Sequence, residues 1–151
     1  MDDCLTCNDW KARGNELFIK EDFVQAEIAY TAAIDNFETN KVILYTNRAA
    51  ARLALKKYEG SLEDSNMAIE LDPQWVKAYY RKSVALENLR RLRESFEVWP
   101  EALLKCEHTP WLLKHVSAAT SAWVKVFRTV PVVTSDDFIA RYKLLTDSRQ
   151  R

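Results

Sequence analysis

Five polar side chains, spread over three separate stretches of the chain, are of the types that hold a carboxylate. Lys77 and Arg81 stand four residues apart in the run 75–89, which follows Asp72-Pro73 and contains no Gly or Pro. In a helix that spacing puts both on one face, one turn above the other. No acid four residues away neutralises them, and two stacked cations repel. A folded chain tolerates such a pair where an anion is meant to sit. Lys11 and Asn15 repeat the spacing in K-A-R-G-N, and Asn47 stands in Y-T-N-R-A-A. Lysine offers a point charge, arginine a planar fork of donors, and asparagine a neutral amide that both donates and accepts.

The elements that must position these groups read as helices. The chain has 151 residues, 48% hydrophobic and 29% charged, with only 2 Gly and 4 Pro, which favours an all-α fold in a single domain. The expected helices cover 9–20, capped by Asn8 or Asp9, then 23–37, 42–55, 58–71 and 75–89. A sixth starts near Leu92 and contains Pro100, which either kinks it or starts a second piece; the kink is the expectation. Thr109 caps a seventh helix, with Pro110 at its first position and Leu112, Val116, Ala119, Trp123 and Phe127 on one side. Residues 130–133 read as an extended linker and 138–145 as an eighth helix.

Charge and cysteines narrow the function classes. The 22 basic and 22 acidic residues cancel, so nucleic acid and membrane are not expected partners and any electrostatic function is local. No run of 18 apolar residues occurs, and the acidic start MDDCLTCNDW does not read as a secretory signal. Three cysteines, Cys4, Cys7 and Cys106, suit a reducing cytoplasm. The lone Cys4–Cys7 pair lacks the further ligands zinc needs, so residues 1–8 read as an inert arm with no metal, and no cofactor is expected. His108 and His115 fall outside the Lys–Asn–Arg set, and no catalytic motif is present, so the chain does not read as an enzyme.

A repeat orders the helices. Small residues Gly14, Ala49 and Ser83 sit mid-way through the first helix of each pair, at intervals of about 34 residues. Ala33, Ala68 and Ala102 stand at matching places in the second helices, as do Ala26, Ser61 and Ser95, and Tyr30 matches Trp99. The pattern resembles the tetratricopeptide repeat over about residues 7–108. It departs at Ser65, where a large residue belongs, at Glu38, where unit one lacks its closing proline, and at Pro100. The resemblance implies three stacked helix pairs, about 7–41, 42–75 and 76–109, a capping helix at 110–128, and a linker with an extra C-terminal helix at 129–151. The first helices of the pairs would line a concave groove. In that frame Trp111 and Trp123 read as core anchors of the cap.

Lys11, Asn15, Asn47, Lys77 and Arg81 all fall on those groove-lining helices. The set is similar to the two-carboxylate clamp of co-chaperone tetratricopeptide domains. That likeness implies capture of the C-terminal peptide of heat-shock proteins 70 and 90, ending Glu-Glu-Val-Asp. A terminal Asp carries two carboxylates, which charge-assisted donors suit. Phe18, Ala50, Leu53, Ala54, Val84 and Asn88 are candidate groove walls, with Phe18 and Val84 offering apolar contact. Arg48 and Lys82 read as surface or inter-repeat pairs. The competing expectation is a structural adaptor that binds an unrelated partner or self-associates through residues 130–151, the chain being otherwise a monomer.

Overall fold

The computed structural model describes residues 6–107 and 109–127. They form seven α-helices: α1 Cys7–Ile19, α2 Phe23–Asn36, α3 Lys41–Ala54, α4 Tyr58–Leu71, α5 Val76–Asn88, α6 Leu92–Lys105 and α7 Pro110–Phe127. No strand occurs among the described residues. The expected eighth helix lies outside them, as do Cys4 and His108.

The start of α1 differs from expectation. Thr6 is the N-cap, with its hydroxyl accepting from the Asp9 backbone N–H at 3.3 Å while the Asp9 carboxylate accepts from the Thr6 N–H at 2.7 Å. Asp9 is thus the reciprocal partner in a capping box, and neither it nor Asn8 is the cap. Cys7 is buried rather than part of a loose arm, and its S–H donates to the Thr39 carbonyl at 3.4 Å. Helix α6 runs unbroken through Pro100, so the two-piece alternative falls. Trp99, Ala102 and Leu103 are buried around the proline, and their packing holds the turn that it weakens.

The turn inside each helix pair has one design. Helices α1, α3 and α5 end with Glu21, Lys56 and Arg90 in the left-handed region, at φ 61°, 59° and 61°. In each, that residue's N–H and the next one reach back to carbonyls of the last turn, as Glu21 to Phe18 at 3.0 Å and Asp22 to Leu17 at 2.9 Å. Lys56 and Lys57 bond Leu53 and Arg52 likewise, and Arg90 and Arg91 bond Glu87 and Leu86. These are Schellman turns built without glycine.

The repeat positions are where packing is tightest. Gly14, Ala49 and Ser83 are buried, as are Tyr30, Ser65 and Trp99, each sixteen residues further on. A Cβ on Gly14 would lie 2.5 Å from Cε1 of Tyr30, so only glycine lets α1 approach α2 this closely. Ser65 takes the place of a ring in the second unit, and its hydroxyl donates to the Ser61 carbonyl at 2.7 Å. One apolar cluster joins α1, α2 and α3, and a second runs from α4 to α7, with Tyr45 packed against both.

The odd-numbered helices touch in sequence, α1 with α3 and α3 with α5, more closely than the even-numbered ones do. The layer with the shorter spacing is the inner, concave side of the stack. In α7 the Leu112 N–H donates to the Thr109 hydroxyl at 3.2 Å, and Leu112 and Val116 are buried in the second cluster. Trp111, expected as a core anchor, is 40% exposed instead. The side chains of Trp123 and Phe127 lie outside the described residues.

Replacing Gly14 by Ala separates propensity from packing. Helix propensity alone would stabilise α1 by about 1 kcal/mol. Overpacking against Tyr30 reverses the sign, with an expected net loss of ~1–3 kcal/mol read as a lowered thermal midpoint.

Candidate functional site

Two of the sequence-derived residues meet directly. Asn47 of α3 donates through Nδ2 to Oδ1 of Asn15 of α1 at 3.1 Å. The same Oδ1 accepts from the Tyr30 hydroxyl at 2.8 Å. A phenol facing an amide oxygen donates, so Tyr30 fixes which way the Asn15 amide points. Oδ1 is then fully used, and no hydrogen bond among the described residues engages the Asn15 Nδ2 group. Burial drives the Tyr30 phenol up to about 12, which keeps it protonated for this role.

Helix α5 supplies the two cations on one side. The Lys77 ammonium stands 5.9 Å from the Trp75 ring centre, and the Arg81 guanidinium 5.4 Å from that of Tyr80. Aromatic faces hold both side chains in place without neutralising them. Arg81 Nε is buried with no hydrogen-bond partner among the described residues, and burial holds the guanidinium below its usual pKa, with only Tyr80 opposing. Trp75 Nε1 is another buried donor without a partner among the described residues. Lys11 is half-buried one turn before Asn15. Among the described residues, Lys11, Lys77 and Arg81 have no carboxylate within ion-pair distance.

The outer face of α3 is the opposite case. Arg48 grips Asp64 of α4 with two bonds, at 3.0 and 2.7 Å, and also donates to the Thr31 hydroxyl at 3.1 Å. Arg52 binds Glu27 at 2.9 Å and lies 3.1 Å from Asp64, and Lys57 reaches Glu27 at 2.6 Å. Arg48 and Asp64 are both largely buried, so the Arg48 pair is an internal one and not a surface pair. Asp64 is the residue that sequence reasoning missed. Its signal is the interval of sixteen from Arg48, the same that links Gly14 to Tyr30. Lys82 faces a cleft between α4 and α6 with Glu94, Glu97 and Glu101, away from Asn47.

The proposed wall residues divide. Phe18 is half-buried and packs edge-on to Phe23 at 5.1 Å, in the first cluster. Ala50 is buried, leaving little surface to offer, while Ala54 is exposed and Leu53 and Val84 are half-buried. Asn88 donates to the Val84 carbonyl of its own helix at 2.8 Å, so that donor is turned back from the groove. His115 is not remote from α5: its ring packs edge-on against Tyr80 at 5.3 Å and stacks on Trp111 at 3.9 Å.

Comparisons with known proteins identify the family. Heat shock protein STI1 of Saccharomyces cerevisiae is 35% identical over 99 residues, 66% of this chain and 17% of that protein. The second tetratricopeptide domain of human RPAP3, solved with the Hsp70 peptide SGPTIEEVD, is 31% identical over 73% of this chain and 91% of its own, with a TM-score of 0.64. The first such domain of Spaghetti (RPAP3), bound to the Hsp90 peptide SRMEEVD, is 26% identical over 79% of this chain and 96% of its own, with a TM-score of 0.68. No family model matches the sequence. The chain belongs to the tetratricopeptide-repeat domains of the co-chaperone type. It spans 17 to 19% of the length of the curated relatives STI1 of S. cerevisiae and sti1 homolog of Schizosaccharomyces pombe. No helix among the described residues is long and apolar enough to cross a membrane.

The outer network predicts acid sensitivity. Burial raises the Glu27 carboxyl, but the bonds from Lys57 and Arg52 outweigh it and hold it below its ordinary 4.5. A depressed carboxylate stabilises above its unfolded value, and that stability is lost as pH falls through the folded one. Thermal melts should show the wild type losing stability below about pH 4.5. Glu27→Gln should be less stable at pH 7 and show a flatter fall between about pH 5 and 3.

Proposed function

We propose that the inner wall of α1, α3 and α5 is a two-carboxylate clamp made by Lys11, Asn15, Asn47, Lys77 and Arg81. It binds the acidic C-terminal tail, ending Glu-Glu-Val-Asp, of a heat-shock chaperone of the Hsp90 or Hsp70 type. The helical domain begins at the Thr6 cap of α1 and runs through α7, and the whole acts as a cytoplasmic binding module, not an enzyme. The groups it gathers are hydrogen-bond donors and cations, the donor types that hold a carboxylate.

The observation that carries this reading is Arg81. A desolvated guanidinium with an unpaired buried Nε is unfavourable unless an anion completes it. A carboxylate supplies that acceptor, and Lys77 one turn earlier adds a second charge-assisted contact. The Asn15–Asn47 bond joins neutral amides of α1 and α3, which supports those helices as the seat of the second carboxylate of a terminal Asp. A chain end is therefore preferred to an internal acidic sequence.

A peptide ending in Glu-Glu-Val-Asp should bind at about micromolar Kd, near −8 kcal/mol, and weaken with salt, since exposed charges are screened over about 8–10 Å. Amidating its C-terminus should cost roughly tenfold or more, about 1.4 kcal/mol. Equal binding of acid and amide in calorimetry defeats the clamp.

Substitution gives a second check. Arg81→Ala and Lys77→Ala should abolish capture with little change in Tm, because neither cation has a carboxylate partner to lose within the described fold. A large fall in Tm would assign them to stability instead.

A further inference from the structure

The clefts of the outer layer repeat as the helices do, but they are not filled alike. Between α2 and α4, Arg48 and Arg52 rise from α3 and close the gap on Glu27, Thr31 and Asp64. Arg52 runs past Gly60 and donates to its carbonyl at 3.1 Å. One repeat later the same positions hold different chemistry. Arg48, Arg52 and Asp64 give way to Lys82, Leu86 and Val98, each 34 residues on. Glu27 and Thr31 give way to Leu62 and Asn66, 35 residues on, the step that carries Gly14 to Ala49. All five successors line the gap between α4 and α6, and that gap is an open cleft of about 240 Å³.

The cleft has an apolar floor and a charged wall. Leu86 and Val98 are buried in the second cluster, and Leu62 packs against it. Glu94, Glu97 and Glu101 line the wall from α6, together with Lys82 and Arg91. Arg91 donates to Glu94 at 2.7 Å, and Lys105 reaches Glu101 at 2.7 Å. Among the described residues Glu97 has no ion-pair partner. Three carboxylates of the lining thus face two cations. The cation in short supply is the one that Arg52 brings to the first cleft, where the second has Leu86. The surrounding face has the same sign. Helix α4 carries four acids and no Lys or Arg, whereas α3 of the inner layer carries three bases and no acid.

We propose that this cleft is a binding site distinct from the clamp, on the convex side, for an arginine of a basic segment of a partner protein. The aliphatic stem lies along Leu62, Leu86 and Val98, and the guanidinium meets Glu97 and Glu101. Arginine suits such a site because its stem packs on apolar surface while its planar fork matches carboxylates. The cleft is smaller than the ~300–1,000 Å³ of small-molecule pockets, a size that suits one long side chain. The filled cleft between α2 and α4 is the fold's own example of an arginine in this place. Because the site opens on the face away from Asn47, it does not depend on the clamp.

The test is a nuclear magnetic resonance titration of the full chain with the acetylated, amidated peptide Gly-Ser-Leu-Arg-Leu-Ser-Gly and its Lys and Gln counterparts. The Arg peptide should shift the amides of Leu62, Leu86 and Val98 with a Kd on the order of 1 mM. The Lys peptide should bind about threefold more weakly, and the Gln peptide should give no saturable shift. Glu97→Gln combined with Glu101→Gln should weaken the Arg peptide by roughly fivefold at an unchanged thermal midpoint, since exposed pairs add little stability. Asn66→Arg, on the exposed rim, supplies the cation from within the chain and should also abolish the shifts. An unchanged Kd in the double variant overturns the proposal. Should the double variant unfold, Asn66→Arg decides, and a titration that it leaves unblocked overturns the proposal. Equal binding of the Arg and Lys peptides, with shifts spread over α2 and α4, marks general attraction to an acidic face and overturns it. Shifts at Leu86 and Val98 that follow protein concentration without peptide give the cleft to a second copy, and overturn it too.

Discussion

The contact between Gly14 and the Tyr30 ring is the constraint from which the inner wall follows. Without a Cβ, α1 settles against the ring instead of beside it. The ring's hydroxyl then emerges at Asn15 and orients its amide, and through Asn15 it orients Asn47 on the next inner helix. A packing decision inside one helix pair thereby sets the direction of polar donors on two. The chain accepts the poor helix propensity of a mid-helix glycine because nothing larger leaves room for this arrangement.

Helix α3 shows how one element serves two ends. Arg48 and Arg52 face outward into Asp64 and Glu27, where every charge has an opposite and the pairs tie α2, α3 and α4 together. Asn47, adjacent in sequence, faces inward and carries no charge. Such a division leaves Lys11, Lys77 and Arg81 without an ion-pair partner among the described residues. On α5 the same logic uses rings: Trp75 and Tyr80 steady Lys77 and Arg81 by quadrupole attraction, leaving their positive charge available.

The period was legible because small residues are obligatory at the closest helix contacts, so Gly14, Ala49 and Ser83 mark it without help from tertiary structure. The inner placement of Asn15 and Asn47 followed from the period. Other features left no local trace. Asn8, Asp9 and Thr6 are all capping types, and only the backbone geometry selects Thr6. Asp64 looks like any helical acid until burial pairs it with two arginines. The ring contacts of Trp111 and His115 with Tyr80 depend on how α7 docks, which hydrophobic spacing places on a face but does not register against α5. Position alone makes Asn88 a groove-wall candidate, whereas its amide folds onto its own backbone.

The three Schellman turns leave the molecule short of its stability ceiling. Glu21, Lys56 and Arg90 each hold a left-handed backbone that costs an L-residue roughly 1 kcal/mol, which glycine would largely escape, less its own greater loss of chain entropy. These positions lie at the tips of the hairpins, away from Asn15, Asn47 and Arg81. Thermal robustness and the shape of the inner wall are consequently separable in this scaffold: a lineage or an engineer could harden the tips one by one without altering the concave surface.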